Sequence, residues 1–177
     1  MSNIQLINAS CADQNVEVIV NAANRYLLSG GGLCGVIFKK AGYKELGEAC
    51  QKYKTPLNDG EAVITPAFNI TNAQYIIHAV GPDFNRTPEA FQELHNAYYN
   101  SLKVMINNGL HSVAFPLISA GIFGGNLDNP PAESVKQCLK AYHQIIEEYQ
   151  NYDVEVLLCA FSQKEMHEAE KIFDSYS

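Results

Sequence analysis

Two glycine-rich stretches hold the residues of this sequence whose types and spacing could do chemistry. The first runs from Val20 to Gly42 and reads VNAANRYLLSGGGLCGVIFKKAG. A wholly apolar strand, Val18-Ile19-Val20, breaks at Asn21. Asn24 follows, then Gly30-Gly31-Gly32, then Gly35 in what reads as the first turn of a helix. Adjacent glycines do not favour a helix, since each costs about 1 kcal/mol relative to Ala in its interior. They suit backbone that needs positive φ, or that a ligand approaches without meeting a Cβ. Strand, glycine turn and helix N-terminus together present free N–H groups at the positive end of a dipole, an anion site. A flexible loop is the plainer reading of the run alone. The second stretch, Leu117 to Gly125, also follows a strand, and for Ser119-Ala120-Gly121 an ordinary tight turn is the alternative. If the two strands are parallel neighbours, both loops lie at one sheet edge and can grip one diphosphate from two sides. Neither has the Gly-Lys-Ser/Thr of a nucleotide-hydrolase phosphate loop, and the first lacks GxGxxG spacing.

The chain around these loops has the size of one domain, residues 1–177, and by surface scaling can bury roughly 70% of its unfolded surface. It is 47% apolar and 18% charged, enough to form a core. No apolar run is long enough to span a bilayer, and residues 1–15 have neither a basic n-region nor an apolar h-region. Five cysteines (Cys11, Cys34, Cys50, Cys138, Cys159) at irregular spacing, with no CxxC pair, argue for reduced thiols in the cytoplasm over a disulfide framework or a zinc site. No metal ion or cofactor is expected. The net charge of −7 speaks against clamping a nucleic-acid backbone. It leaves room for one phosphate ligand held by backbone amides.

The elements that must position the loops follow from periodicity. Strands are expected at Ile4–Ile7, Val16–Asn21, Glu61–Thr65, Tyr75–Val80, Ser112–Pro116 and within Val154–Phe161. Val36, Ile37, Leu46 and Ala49 are spaced for helical packing, with Gly42 a break between two helices. A helix opened by Thr87 as N-cap and Pro88 at the first helical position would run to Asn107 or Asn108, burying Phe91, Leu94, Tyr98, Leu102 and Met105. Asn129 to Tyr149 and Gln163 to Phe173 complete the set. Strands interleaved with long helices imply an α/β layered domain, helices on both faces of a largely parallel sheet.

VNAAN, then LLSGGGLCGVI, GEAVIT, YIIHAVGP and FPLISAGIFGG occur in the order and spacing of the macrodomain family, and the chain closely resembles it from about Ile4 to Phe173. The resemblance implies a three-layer α/β/α sandwich with a mixed, mostly parallel central sheet, and a cleft for ADP-ribose. By that resemblance Gly30, Gly31, Gly32, Gly35 and Val36 line a first diphosphate loop. Ser119, Ala120, Gly121, Ile122, Phe123 and Gly124 form the second, with Asn21 and Pro116 at the strand ends that feed them. Asn24 bonds the hydroxyls of the distal ribose and is the candidate catalytic residue; Phe123 packs beside that sugar. Phe161 falls where relatives place an aromatic against adenine, with core packing as its alternative. His78 reads more readily as a satisfied buried histidine than as a catalyst.

The sequence also departs from the family. Where many members carry Gly-Asp-Ile, this chain has Ala9-Ser10-Cys11, so Ser10 stands in for the Asp that accepts from the adenine amino group. Such a hydroxyl bond is roughly half as strong as one to a carboxylate. Asp13 lies nearby, though an exposed turn carboxylate is its simpler reading. Cys34 occupies the position of the acid that helps to activate water in the most active hydrolases, and a thiol is a poor carboxylate substitute. Ser29 and Phe38 replace a loop Gly or His and a helix His. Some relatives without the acid still cleave ADP-ribosyl esters. Two functions therefore stand side by side: binding ADP-ribose, free or protein-attached, with hydrolysis of mono-ADP-ribosyl esters or O-acetyl-ADP-ribose, or a non-catalytic reader of the same ligand. A pocket for another nucleotide or phosphate ester is a third. A monomer is expected.

Overall fold

The computed structural model describes residues 1–176. Six strands form one sheet: β1 (Asn3–Asn8), β2 (Val18–Ala23), β3 (Ala62–Pro66), β4 (Tyr75–Val80), β5 (Ser112–Pro116) and β6 (Glu155–Ala160), in the order β1-β6-β5-β2-β4-β3. All neighbours are parallel except β3, an edge strand antiparallel to β4. The sheet is the mixed, mostly parallel one expected. Helices α1 (Gly32–Ala41) and α2 (Tyr43–Cys50) cover one face; α3 (Phe91–Asn107), α4 (Pro130–Glu148) and α5 (Gln163–Tyr176) cover the other.

Alternation along each strand divides the core between the faces. Val18 and Val20 of β2 and Ile77 of β4 join Tyr98, Leu102 and Met105 of α3 and Val135 and Leu139 of α4. Ile19 and Ile76 meet Ile37, Phe38 and Leu46 from α1 and α2. A strand buried on both faces reads as an unbroken apolar run, which is why Val18-Ile19-Val20 was legible. Gly42, with φ of 109°, separates α1 from α2. Asn129 caps α4, its Oδ1 accepting from the Ala132 N–H at 3.1 Å, with Pro130 at the first helical position.

Two expectations are corrected. β2 does not end at Asn21: it runs two residues further, with Asn21, Ala22 and Ala23 opposite His78, Ala79 and Val80 of β4. The Asn21 side-chain NH2 finds partners in His78 of the neighbouring strand and Cys34 of α1. And α3 begins at Phe91, not at Thr87. The Ala90 N–H bonds the Thr87 carbonyl to close a separate turn first, and Ala90 leaves helical geometry with ψ of 44°. No helix among the described residues is long and apolar enough to cross a membrane.

Candidate functional site

Strands β2 and β5 are parallel neighbours joined only at Val18–Val113 and Ile19–Ala114. Beyond that they part, and the strand order reverses: β2 is flanked outward by β4, β5 by β6. Ligands of open α/β sheets sit outside the carboxyl ends of strands at such a switch point. Both glycine loops leave from it, one after Ala23 and one after Pro116.

In the first loop Asn24 is the organiser. Its Oδ1 accepts from the N–H groups of Tyr26 and Leu28, both at 3.1 Å, and its Nδ2 donates to the Leu28 carbonyl at 2.7 Å. One amide hydrogen and little acceptor capacity remain for a ligand. The chain then turns through Gly30 and Gly31 into α1, whose first-turn N–H groups have no capping side chain. A Cβ on Gly31 would meet nothing within 4 Å, and Gly32, at φ of 56°, is equally open. Gly35 packs directly beneath Gly30. Val36, on the outer side of that first turn, is exposed.

The second loop is braced from below. The Tyr98 hydroxyl receives the Ile118 N–H at 2.9 Å and pairs with Ser134 Oγ at 2.6 Å, and Ser134 donates to the Ile118 carbonyl at 2.6 Å. Ser119 has a positive φ of 59° and is buried, its hydroxyl donating to the Pro82 carbonyl at 2.7 Å. Its side chain therefore anchors the loop instead of facing the cleft. Ala120 follows, Gly121 is open, and Ile122 and Phe123 project outward, Ile122 being 91% exposed. Gly124 is closed against Pro130, where a Cβ would lie 2.7 Å from the ring.

Two cavities flank this arrangement. The larger, 430 Å³, is lined by Ser10, Cys11, Gly32, Val36, Pro116, Gly121 and Phe161 from the expected set. It also takes in Ala9, Ala22, Leu33, Leu117, Cys159 and Glu165. Phe161 is 73% exposed, which sets aside core packing. It is held at the rim because Ser162 and Glu165 make a reciprocal cap on α5: Ser162 Oγ accepts the Glu165 N–H at 3.1 Å, and Glu165 accepts from Ser162 N at 3.3 Å. Ser10 caps the short turn Cys11–Asp13 by accepting the Ala12 N–H at 3.3 Å. Burial pushes the Cys11 and Cys159 thiols up, Cys159 to about 12, so both stay protonated and neutral. The smaller cavity, 280 Å³, begins at Asn24 and Phe123 and is walled by Arg25, Asp59, Asp83 and Arg86 among others.

Asn21 and Cys34 lie beneath the first loop, not on the cleft wall. Asn21 is 1% exposed; its Nδ2 sits 3.2 Å from His78 Nδ1 and 3.6 Å from Cys34 Sγ, while its Oδ1 has no protein partner. Cys34 Sγ donates to the Leu28 carbonyl at 3.5 Å, the oxygen that Asn24 also holds. His78 Nε2 is 3.0 Å from Thr65 Oγ1, and desolvation lowers its pKa to about 4. It is a neutral, satisfied buried histidine, as expected.

Sequence reasoning missed the bracing pair Tyr98 and Ser134, the wall residues Leu33, Cys159 and Glu165, and the charged wall of the smaller cavity. A tyrosine on an apolar helix face was a usable signal, since a buried hydroxyl needs a partner. Ser-x-x-Glu at Ser162–Glu165 was another.

Comparison with known proteins shows the family and the fold. The Macro domain family model matches residues 20–132. A stretch of 109 residues is 50% identical to an uncharacterised protein of Fusobacterium nucleatum, the chain spanning 61% of that protein and the match 61% of this chain. The O-acetyl-ADP-ribose deacetylase of Escherichia fergusonii is 45% identical over 127 residues, covering 70% of this chain and 71% of the relative. The structure of an Oceanobacillus iheyensis macrodomain with ADP superposes with a TM-score of 0.87 at 32% identity, over 98% of this chain and 91% of that one. A parallel sheet that parts between two glycine loops, and a family model that spans both of them, lead to one statement: the chain belongs to the macro domain family.

Proposed function

We propose that this chain is a single macro domain, monomeric and cytoplasmic, that binds ADP-ribose, free or attached to protein, across the two glycine loops. Adenosine occupies the larger cavity, between Phe161 and Ser10, and the diphosphate lies on the α1 N-terminus and Gly121. The distal ribose reaches Asn24 and Phe123. One observation carries the reading: Gly32 and Gly121, from loops on two different strands, line the same cavity at the point where β2 and β5 part. A phosphate needs that approach of bare backbone and free N–H groups, and a chain of net charge −7 supplies it without lysines. The Escherichia relative's activity and the ADP held by the Oceanobacillus structure support the ligand class.

The reaction we propose is slow hydrolysis of an acyl ester on the distal ribose, of O-acetyl-ADP-ribose or mono-ADP-ribosyl glutamate type. Water attacks, Asn24 fixes the sugar, and the loop N–H groups hold the diphosphate, so that positioning and fixed dipoles do the catalysis. A reader without turnover is favoured by one observation: Cys34, at the acid position, is turned inward onto Asn21 and Leu28. Calorimetric titration with ADP-ribose, ADP and AMP tests the binding. ADP-ribose should bind best and AMP worst; equal affinities would remove the second loop and Asn24 from the site.

A further inference from the structure

The smaller cavity holds more charge than the ligand proposed above can use. A ribose is neutral, yet the wall that starts at Asn24 and Phe123 carries Arg25, Arg86, Asp59 and Asp83. Arg25 is the distinctive one. It is half-buried, and its Nε–H donates to the Leu57 carbonyl at 2.8 Å, which fixes the plane of the guanidinium and leaves the Nη fork over. Among the described residues neither Arg25 nor Arg86 forms an ion pair. Asp83 is turned to its own loop: its Oδ1 accepts from Asn85 N at 3.0 Å and from Asn85 Nδ2 at 2.9 Å. An oriented, half-buried guanidinium without a counter-ion matches a carboxylate, which it binds through two parallel N–H bonds.

Resting on the ADP-ribose reading of the cleft, we propose that this cavity is an acceptor subsite and that the Arg25 guanidinium binds the carboxyl group carried on, or released from, the distal ribose. In the hydrolysis, water's oxygen joins the ester carbonyl carbon and the bond from that carbon to the ribose oxygen breaks. One water proton ends on the ribose hydroxyl. The other leaves when the new acid ionises, and the carboxylate so formed faces Arg25. Asp59 and Asp83 keep the cavity near neutral overall, so a free anion is drawn in weakly. A carboxyl delivered by bound ribose arrives at high effective concentration. The subsite thus selects carboxyl-linked substrates over other linkages at the same sugar.

The test is calorimetric and uses the whole chain. Binding of O-acetyl-ADP-ribose is compared with that of ADP-ribose for wild type, Arg25→Met and Arg25→Lys. Wild type should prefer the acetylated ligand. Arg25→Met should reduce that preference by about tenfold, a charge-assisted bond's worth, while leaving ADP-ribose binding unchanged. Lys, lacking the fork, should restore only part of it. If ADP-ribose binds but the acetylated ligand is not preferred, or if the preference survives Arg25→Met, the subsite is overturned while the cleft reading stands. If wild type fails to bind ADP-ribose at all, both fall together.

Discussion

A Cβ on Gly35 would stand 2.6 Å from the carbonyl oxygen of Gly30. The first turn of α1 is therefore folded tightly against the glycine run that precedes it.

That relationship separates two glycines of the same loop. At Gly31, φ is −85° and nothing lies within 4 Å of an added Cβ, so Gly31→Glu is free to fold. Its carboxylate would fill the space that the α1 N-terminus offers an anion. Binding of ADP-ribose should fall below detection in a titration, with the melting temperature close to wild type. At Gly35 the added methyl meets backbone instead of open space. Gly35→Ala should lose about 1–3 kcal/mol of stability, the usual cost of overpacking, and weaken binding by shifting Gly30. A folded Gly31→Glu that still binds would show that the phosphates lie elsewhere.

Phe161 gives the second prediction. Since it is largely exposed, truncating it removes little core, and surface changes usually stay within about 0.5 kcal/mol. If it stacks on adenine, Phe161→Ala should cost about 1–3 kcal/mol of binding. Titration with ADP-ribose alongside a thermal melt distinguishes the two contributions. A large drop in melting temperature with unchanged affinity would contradict the rim position.

His78 sets a pH dependence. Its pKa falls from the usual 6.5 to about 4 because burial disfavours the imidazolium. The unfolded chain therefore binds a proton near 6.5 that the folded chain refuses until about 4. Between those values the unfolded state holds more protons, so stability falls as pH falls. The full loss is about 3 kcal/mol at 1.36 kcal/mol per unit. Melting curves from pH 7.5 to 4 should show this slope in wild type and a shallower one in His78→Gln. Equal slopes would place the acid sensitivity on other groups.

Much of the fold was legible because it depends on local signals. The apolar runs of β4 and β5, the Asn129-Pro130 start of α4 and the Gly42 break each follow from neighbouring residues. Asn21 was misread because a polar residue after three apolar ones looks like a strand end. Only its partners His78 and Cys34, 57 and 13 residues away, explain why the strand continues. The glycine loops were legible as anion sites, but their support was not. Tyr98 and Ser134 meet across 36 residues of sequence. The role argued for Arg25 depends on a cavity that exists only when residues 24–26, 59, 80–81, 83, 86–87 and 123 come together.

The last prediction concerns the reaction, and it turns on where Cys34 points. Its Sγ now accepts from Asn21 Nδ2 and donates to the Leu28 carbonyl, so nothing acidic reaches the cleft from the position that the family resemblance assigns to an acid. Cys34→Asp keeps the acceptance from Asn21, but a carboxylate has no proton for Leu28. It is pushed off that carbonyl towards Gly30, where the missing Cβ leaves room 4.0 Å from the present sulfur. Sitting in the first turn of α1, the charge is stabilised by the helix dipole. A carboxylate there can orient or deprotonate the attacking water, help that is typically worth about 10²–10⁴ in rate. The same charge faces the diphosphate, so affinity for ADP-ribose should weaken as turnover rises. Asn24→Ala should lower the rate, because it frees the Leu28 carbonyl and N–H that Asn24 holds and lets the first loop drift. Single-turnover release of ADP-ribose from a glutamate-modified protein, compared across wild type, Asn24→Ala and Cys34→Asp, measures all three. If none releases ADP-ribose while all bind it, this macro domain is a reader.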